Sequence, residues 1–280
     1  RFFVLPRDTV LADVRRQVEA GARHITFGDP DFLNGPTHAM RLARALHAEF
    51  PQVTFDITAK IEHILKHAGL FPELAAAGCA FVVSAAESLN DVVLANLEKG
   101  HTAADVSRAL RIVREAGTVL RPTFVPFTPW ETLDSYVRLF DVIECEGLID
   151  HVDPVQYSIR LLVPPGSALL ERPAIQPFLR GLDEAVFTYR WAHPDPRMDD
   201  LHRAVGAAVE AAAQVGEDPA LTFYRLRALA RAAQGTGVPA VVGAGAWPLP
   251  SPDRPLLSPD QPLPSPDRPR PPRLSEPWFC

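Results

Sequence analysis

Two rhythms of apolar residues alternate along the chain up to position 238. Short runs rich in β-branched and aromatic residues lie at 24–27, 53–57, 79–84 and 119–124, each about the length of one strand. Between them apolar residues recur at spacings of three and four. That spacing predicts helices over 10–20, 38–50, 61–66, 71–77, 88–97, 103–116 and 133–144. Stop signals fall where these segments should end. Gly21, Gly69, Gly78 and Gly117 follow helical stretches, Pro51 follows another, and Thr102 precedes 103–116 as an N-cap. A less regular apolar stretch at 151–159 is read as a fifth strand.

A strand followed by one or two helices, repeated, is the pattern of parallel βαβ units, so the fold class is α/β. An open doubly wound sheet and a TIM-like barrel both fit this order. No Gly-rich dinucleotide loop follows the first strand, which favours the barrel. Polar residues also gather at the carboxyl end of each strand in turn. They are Asp29 and Asp31, then Asp56, Lys60 and Glu62, then Ser84 and Glu87, then Arg121 and Thr123, then Gln156 and Arg160. Each alone is equally well a turn residue, a helix-start carboxylate or a surface ion pair. Repeated at five strand ends, they would ring one pocket. The expected architecture is a partial TIM-like barrel of parallel βα units over 1–238, with a C-terminal helical extension.

The rhythm breaks near 239. From there to 273 the chain is dense in proline, and a seven-residue unit recurs from Ser251, Ser258 and Ser265, each serine followed by Pro-Asp. Proline fixes φ and removes a donor, so neither helix nor strand can run through this segment. It is expected to be an extended, polyproline-like or disordered linker. The tip, 274–280, turns apolar again and ends Pro277-Trp278-Phe279-Cys280.

Composition narrows the function. A formal charge of −6 with no basic stripe offers no electrostatic hold on nucleic acid. No run of about 18 apolar residues occurs, so no membrane span is expected. Cys79, Cys145 and Cys280 are far apart, which fits a reducing, cytoplasmic setting better than a disulfide framework. His63 and His67 have the four-residue spacing of metal ligands, but no Glu follows His63 as in the zinc motif, so no metal site is assigned. Nothing around Ser84 has the form of a nucleophile elbow.

Several ordered segments resemble the radical S-adenosylmethionine (SAM) superfamily. Phe81-Val82-Val83-Ser84-Ala85-Ala86-Glu87-Ser88, followed by Lys99-Gly100-His101-Thr102, resembles that superfamily's fourth strand and the turn after it. Arg121-Pro122-Thr123-Phe124 leading to Pro129-Trp130-Glu131-Thr132 resembles the fifth strand and its loop, with Trp130 where glycine is usual. Gly28-Asp29-Pro30 stands where the second-strand Gly-Gly-Glu motif lies, matching at Gly28. The segments 24–36, 60–63, 153–162 and 193–199, with the tail 276–280, are similar to the radical SAM group defined by a C-terminal Cys-Sec-Ala-Glu-Pro or Cys-Cys-Ala-Glu-Pro motif. The tail halts where the second Cys or selenocysteine of that motif is expected.

The resemblance implies SAM and a [4Fe-4S] cluster as cofactors, and reductive cleavage of SAM to a 5′-deoxyadenosyl radical that abstracts hydrogen from a substrate. It implies an electron donor such as flavodoxin or ferredoxin, and an unidentified small-molecule or peptide substrate. Cofactor contacts fall on Gly28, Asp29, Ser84, Glu87, Arg121 and Arg160, and substrate or catalytic roles on Lys60, Glu62, Gln156 and Cys280. One departure stands out: the superfamily's Cys-x3-Cys-x2-Cys loop, whose three thiolates hold the cluster, is absent from these 280 residues. The expectation is that the first strand and its cysteine loop lie upstream of Arg1. Two other readings remain open. One is a cluster-free barrel used as a binding or scaffold module, the other a metal-dependent TIM-barrel lyase or hydrolase.

Overall fold

The computed structural model describes residues 4–235 and 270–272. In chain order the elements begin with α1 (Arg7–Glu19), β1 (His24–Thr26), α2 (Pro36–Glu49), β2 (Thr54–Thr58), α3 (Ile61–Lys66), α4 (Phe71–Ala76) and β3 (Cys79–Glu87). They continue with α5 (Asp91–Asn96), α6 (Ala103–Glu115), β4 (Val119–Phe124), α7 (Leu133–Cys145), β5 (Leu179–Asp183), β6 (Thr188–Trp191), α8 (Pro196–Val215) and α9 (Pro219–Gln234). Four short 3-10 turns punctuate them. No helix among the described residues is long and apolar enough to cross a membrane.

The described residues fall into two compact units. One comprises 4–86, 100–123 and 271–272; the other comprises 87–99, 124–235 and Arg270. The first holds a sheet whose strand order is the chain order, β1-β2-β3-β4. β1 pairs parallel to β2, and β2 parallel to β3. Alternation along the strands sorts the faces. Phe55 and Ile57 of β2 are fully buried. Thr54 and Asp56, one residue out of phase, register with His24 and Thr26 of β1 and form a polar row on the opposite face. The side chain of Thr118 ties the start of β4 to that of β3 by donating to the Cys79 carbonyl at 2.8 Å. Thr102 caps α6, as the sequence suggested, and Asp105 completes a capping box with it.

The second unit differs from the sequence reading in two respects. The fifth strand expected over 151–159 does not form. Pro154 lacks an N–H and opens a 3-10 turn, Pro154–Tyr157. Only an isolated parallel bridge joins Phe127 to Arg160. Gln156 does part of the work of the absent strand: its side-chain oxygen accepts from the Phe124 amide, at the end of β4, at 2.9 Å. A β5–β6 hairpin unforeseen in the sequence packs Trp191 with Val163 and Ile175. Two long helices, α8 and α9, follow the hairpin. Each starts at an Asp-Pro pair, Asp195-Pro196 and Asp218-Pro219, and ends at a left-handed glycine, Gly216 or Gly235. The linker and tip expected at 239–273 and 274–280, Cys280 included, lie outside the described residues except for Arg270–Pro272.

Cys79 is buried at the head of β3, and burial pushes its thiol up to about 12. At pH 8 that leaves roughly a thousandfold less thiolate than an ordinary thiol. Exposed Cys145 should therefore react with iodoacetamide at least a hundredfold faster than Cys79 in the native protein. Site-resolved mass spectrometry measures both rates, and comparable rates would show the head of β3 to be accessible.

Candidate functional site

In the first unit, the polar row of β1 and β2 carries a buried carboxylate. Asp56 Oδ1 accepts from Thr26 Oγ1 at 2.7 Å and lies 2.8 Å from His24 Nε2. His24 Nδ1 lies 2.7 Å from Thr54 Oγ1, and the imidazole stacks on Phe81 of β3. With an ionised Asp56 as acceptor, Nε2 is the protonated nitrogen, so the carboxylate fixes both ring orientation and tautomer. The sequence held a signal for this row: polar residues at alternate positions of two adjacent strands, His24 and Thr26, then Thr54 and Asp56.

At the carboxyl ends of the same strands a second carboxylate organises the loops. Asp29 Oδ1 accepts from the Asp31 amide at 2.9 Å, an Asx turn that shapes the exit from β1. Buried Asp31 turns towards α3, where Oδ1 accepts from the Lys60 amide at 3.3 Å and Oδ2 lies 2.7 Å from His63 Nδ1. That close contact lacks hydrogen-bond alignment. Lys60 and Glu62 extend outwards with their charges 3.8 Å apart. Glu62 also lies against Gly100, where an added Cβ would come within 3.1 Å of its carboxylate. Gly28 stands open, with nothing within 4 Å of a Cβ placed there. Ser84 is fully buried and donates to the Ala59 carbonyl at 2.6 Å. Arg121 is buried on β4 and donates to the Pro272 carbonyl at 3.3 Å.

In the second unit, Glu87 ends β3 with φ at +63°, a left-handed conformation that costs a non-glycine residue of order 1 kcal/mol. Its carboxylate is held by Lys99 Nζ at 2.8 Å, and its carbonyl by the Val125 amide at 2.8 Å. Glu131, buried in the loop after β4, accepts from Ser88, Asn90 and Ser135. His193 closes the same loop from its other side. Its Nδ1 accepts from the Asp195 amide, which leaves the proton on Nε2 for the Glu131 carbonyl at 2.8 Å. Arg160 is held by two hydrogen bonds and a ring contact. It pairs with Asp199 at 2.8 Å, donates to the Trp191 carbonyl at 2.9 Å and lies 3.5 Å over the indole ring.

The strand-end residues thus divide between the units. Gly28, Asp29, Lys60, Glu62, Ser84 and Arg121 belong to the first, and Glu87, Gln156 and Arg160 to the second. Within the first, Asp31 links the Asp29 turn to the start of α3, where Lys60 and Glu62 lie. Sequence reasoning did not assign roles to His24, Lys99 or Glu131.

His202 on α8 packs edge-on against Phe127. Burial, reinforced by Arg160 and Arg203, holds it below the usual histidine range against the pull of Asp199 and a Ser158 backbone hydrogen bond. Below pH about 6.5 the unfolded chain binds this proton before the folded one does, so the folded state loses stability as the medium is acidified. Between pH 7 and 5, His202→Gln should flatten the fall in urea midpoint. An unchanged slope would assign the acid sensitivity to other groups.

No protein-family model matches the sequence, and no curated protein does. Among solved structures the chain superposes on the cobalamin-dependent S-adenosylmethionine radical enzyme OxsB with aqua-cobalamin bound. The TM-score is 0.62 at 16% identity, over 74% of this chain and 37% of that one. OxsB with both aqua-cobalamin and S-adenosylmethionine bound gives 0.63 at 15% identity over the same shares. The likeness is one of fold: this chain has the α/β arrangement of part of a radical SAM enzyme, and it spans little more than a third of OxsB.

Proposed function

We propose that the chain is the central strand–helix part of a radical SAM enzyme, with strand ends that receive the polar groups of SAM and of a substrate. The observation that carries this reading is the fold likeness to OxsB over 74% of the chain. The ordered motifs at the strand ends agree with it. In the first unit the open Gly28 and the Asp29 turn would take polar groups of SAM, and in the second Glu87, steadied by Lys99, would do the same. Lys60 and Glu62 of the first unit, and Gln156 of the second, are each proposed as substrate contacts. In this reading the protein works in the cytoplasm with a small electron-transfer partner and belongs to the group with a Cys-Sec-Ala-Glu-Pro or Cys-Cys-Ala-Glu-Pro tail.

The residues present do not fit a [4Fe-4S] cluster. The described residues contain no group of three His, Cys, Asp or Glu placed to hold a metal ion. Cys79 is a buried thiol hydrogen-bonded to the Phe81 carbonyl. The described residues therefore supply no thiolate set for such a cluster.

A second reading, a cluster-free binding module, draws on one specific observation. Ser84, Arg121 and Arg160, three of the residues assigned to the cofactor, each donate to a partner within the protein. One assay separates the two. A longer form carrying a Cys-x3-Cys-x2-Cys segment is loaded with cluster, reduced with dithionite and supplied with SAM. The enzyme reading expects 5′-deoxyadenosine. A cluster-loaded form that yields none would support the binding module.

A further inference from the structure

Away from the strand ends, a cavity of about 600 Å³ opens between α2 and the segment 66–70. Four cationic or basic side chains line it: Arg41, Arg44, Lys66 and His67. Met40 and Leu70 supply an apolar floor. Arg44 is neutralised by Glu73, at 2.5 and 2.8 Å. Arg41 and Lys66 have no ion-pair partner among the described residues, so the wall carries two uncompensated charges. No carboxylate lines the cavity to offset them. The first turn of α2, which forms one edge, adds to this field. Its N-cap is Gly35, which has no side chain to cap the amides, and the turn contains no acidic residue. His67 registers the same potential: burial, and then the charges of Lys66 and His63, lower its proton affinity against the opposing pull of Asp31.

A volume of this size suits a small molecule, not a macromolecular surface. Guanidinium and ammonium groups converging on one space, beside unsatisfied helix amides, favour a multiply charged anion that accepts several hydrogen bonds at once. A phosphate group meets that requirement with three terminal oxygens. A carboxylate has only two and carries less charge. We propose that this cavity binds a phosphate-bearing small molecule, with Arg41 and Lys66 on the phosphate and Met40 and Leu70 against the organic part. The site is separate from the strand ends assigned to SAM, and its occupancy does not depend on the radical SAM reading.

Inorganic pyrophosphate is the probe, titrated calorimetrically into the 280-residue protein at constant ionic strength, with succinate as the carboxylate comparison. One saturable site is expected, tighter for pyrophosphate than for succinate. Arg41 and Lys66 are both exposed, so Arg41→Gln and Lys66→Gln should fold normally. Each should weaken pyrophosphate binding about tenfold or more, the usual loss for one charge-assisted contact. Arg111→Gln removes an exposed positive charge on α6 and should leave binding unchanged. Three results would overturn the proposal. They are no saturable binding at about 1 mM pyrophosphate, where affinity falls to the weak-ligand range, an equal loss in Arg111→Gln, and succinate binding as tightly as pyrophosphate.

Discussion

Anaerobic reconstitution of the 280-residue chain with iron and sulfide should leave no [4Fe-4S] cluster on the protein after desalting. Cluster ligation needs several thiolates converging on one cube. The chain has three cysteines, at 79, 145 and 280. Two of them are placed by the structure, one in each unit. Cys79 is buried at the head of a strand, and burial holds its thiol protonated up to about 12, while Cys145 is exposed at the end of α7. Bringing Cys79 to a metal would mean opening β3 and releasing its bond to the Phe81 carbonyl. The expected result is background iron and no charge-transfer absorbance near 400 nm. Stoichiometric iron and sulfide that survive desalting would overturn the assignment of the cluster ligands to residues outside this chain. A longer form with a Cys-x3-Cys-x2-Cys segment should gain the absorbance.

The sequence revealed the α/β units because each strand is short, rich in β-branched or aromatic residues, and bounded by glycine or a cap. Thr102 at the start of α6 is local chemistry, and local chemistry is what a single sequence displays best. The expectation at 151–159 failed for a non-local reason. Its apolar residues are needed in the core, where Tyr157 packs against Phe140 and Phe223, but Pro154 denies the segment a ladder. Gln156 then satisfies the end of β4 with a side chain, and no periodicity announces that substitution. The candidate site was legible in the same uneven way. Residue types at strand ends could be read directly, whereas their partners could not. Arg160 looks like a free guanidinium in sequence, yet in the fold it is bound to Asp199 and stacked on Trp191, thirty-nine and thirty-one positions away. Glu87 was identifiable as a strand-end carboxylate, but its left-handed backbone and its bond to Lys99 depend on the turn that follows.

Arg227→Met should lower the stability of the second unit by about 3 kcal/mol, near the lower limit for breaking a buried charge pair. Arg227 on α9 is buried, and it reaches Glu144 and Asp141 of α7 at 2.5 Å each. The two acids are not equivalent. Asp141 is 45% exposed and keeps Arg231 at 3.2 Å, so its loss is small. Glu144 is 14% exposed and, among the described residues, would retain the Tyr224 hydroxyl at 3.0 Å. Most of the cost is therefore an unpaired carboxylate in a poorly hydrated position, not the lost attraction itself. Methionine preserves the aliphatic volume between the helices, which keeps a cavity term out of the measurement. The double variant Arg227→Met/Glu144→Gln removes the stranded charge and should recover more than half of the loss. Urea denaturation followed by circular dichroism measures both. A loss below about 1 kcal/mol, typical of solvated surface pairs, with no recovery in the double variant would show that water reaches Glu144 and that α7 and α9 are joined by their aromatic contacts alone.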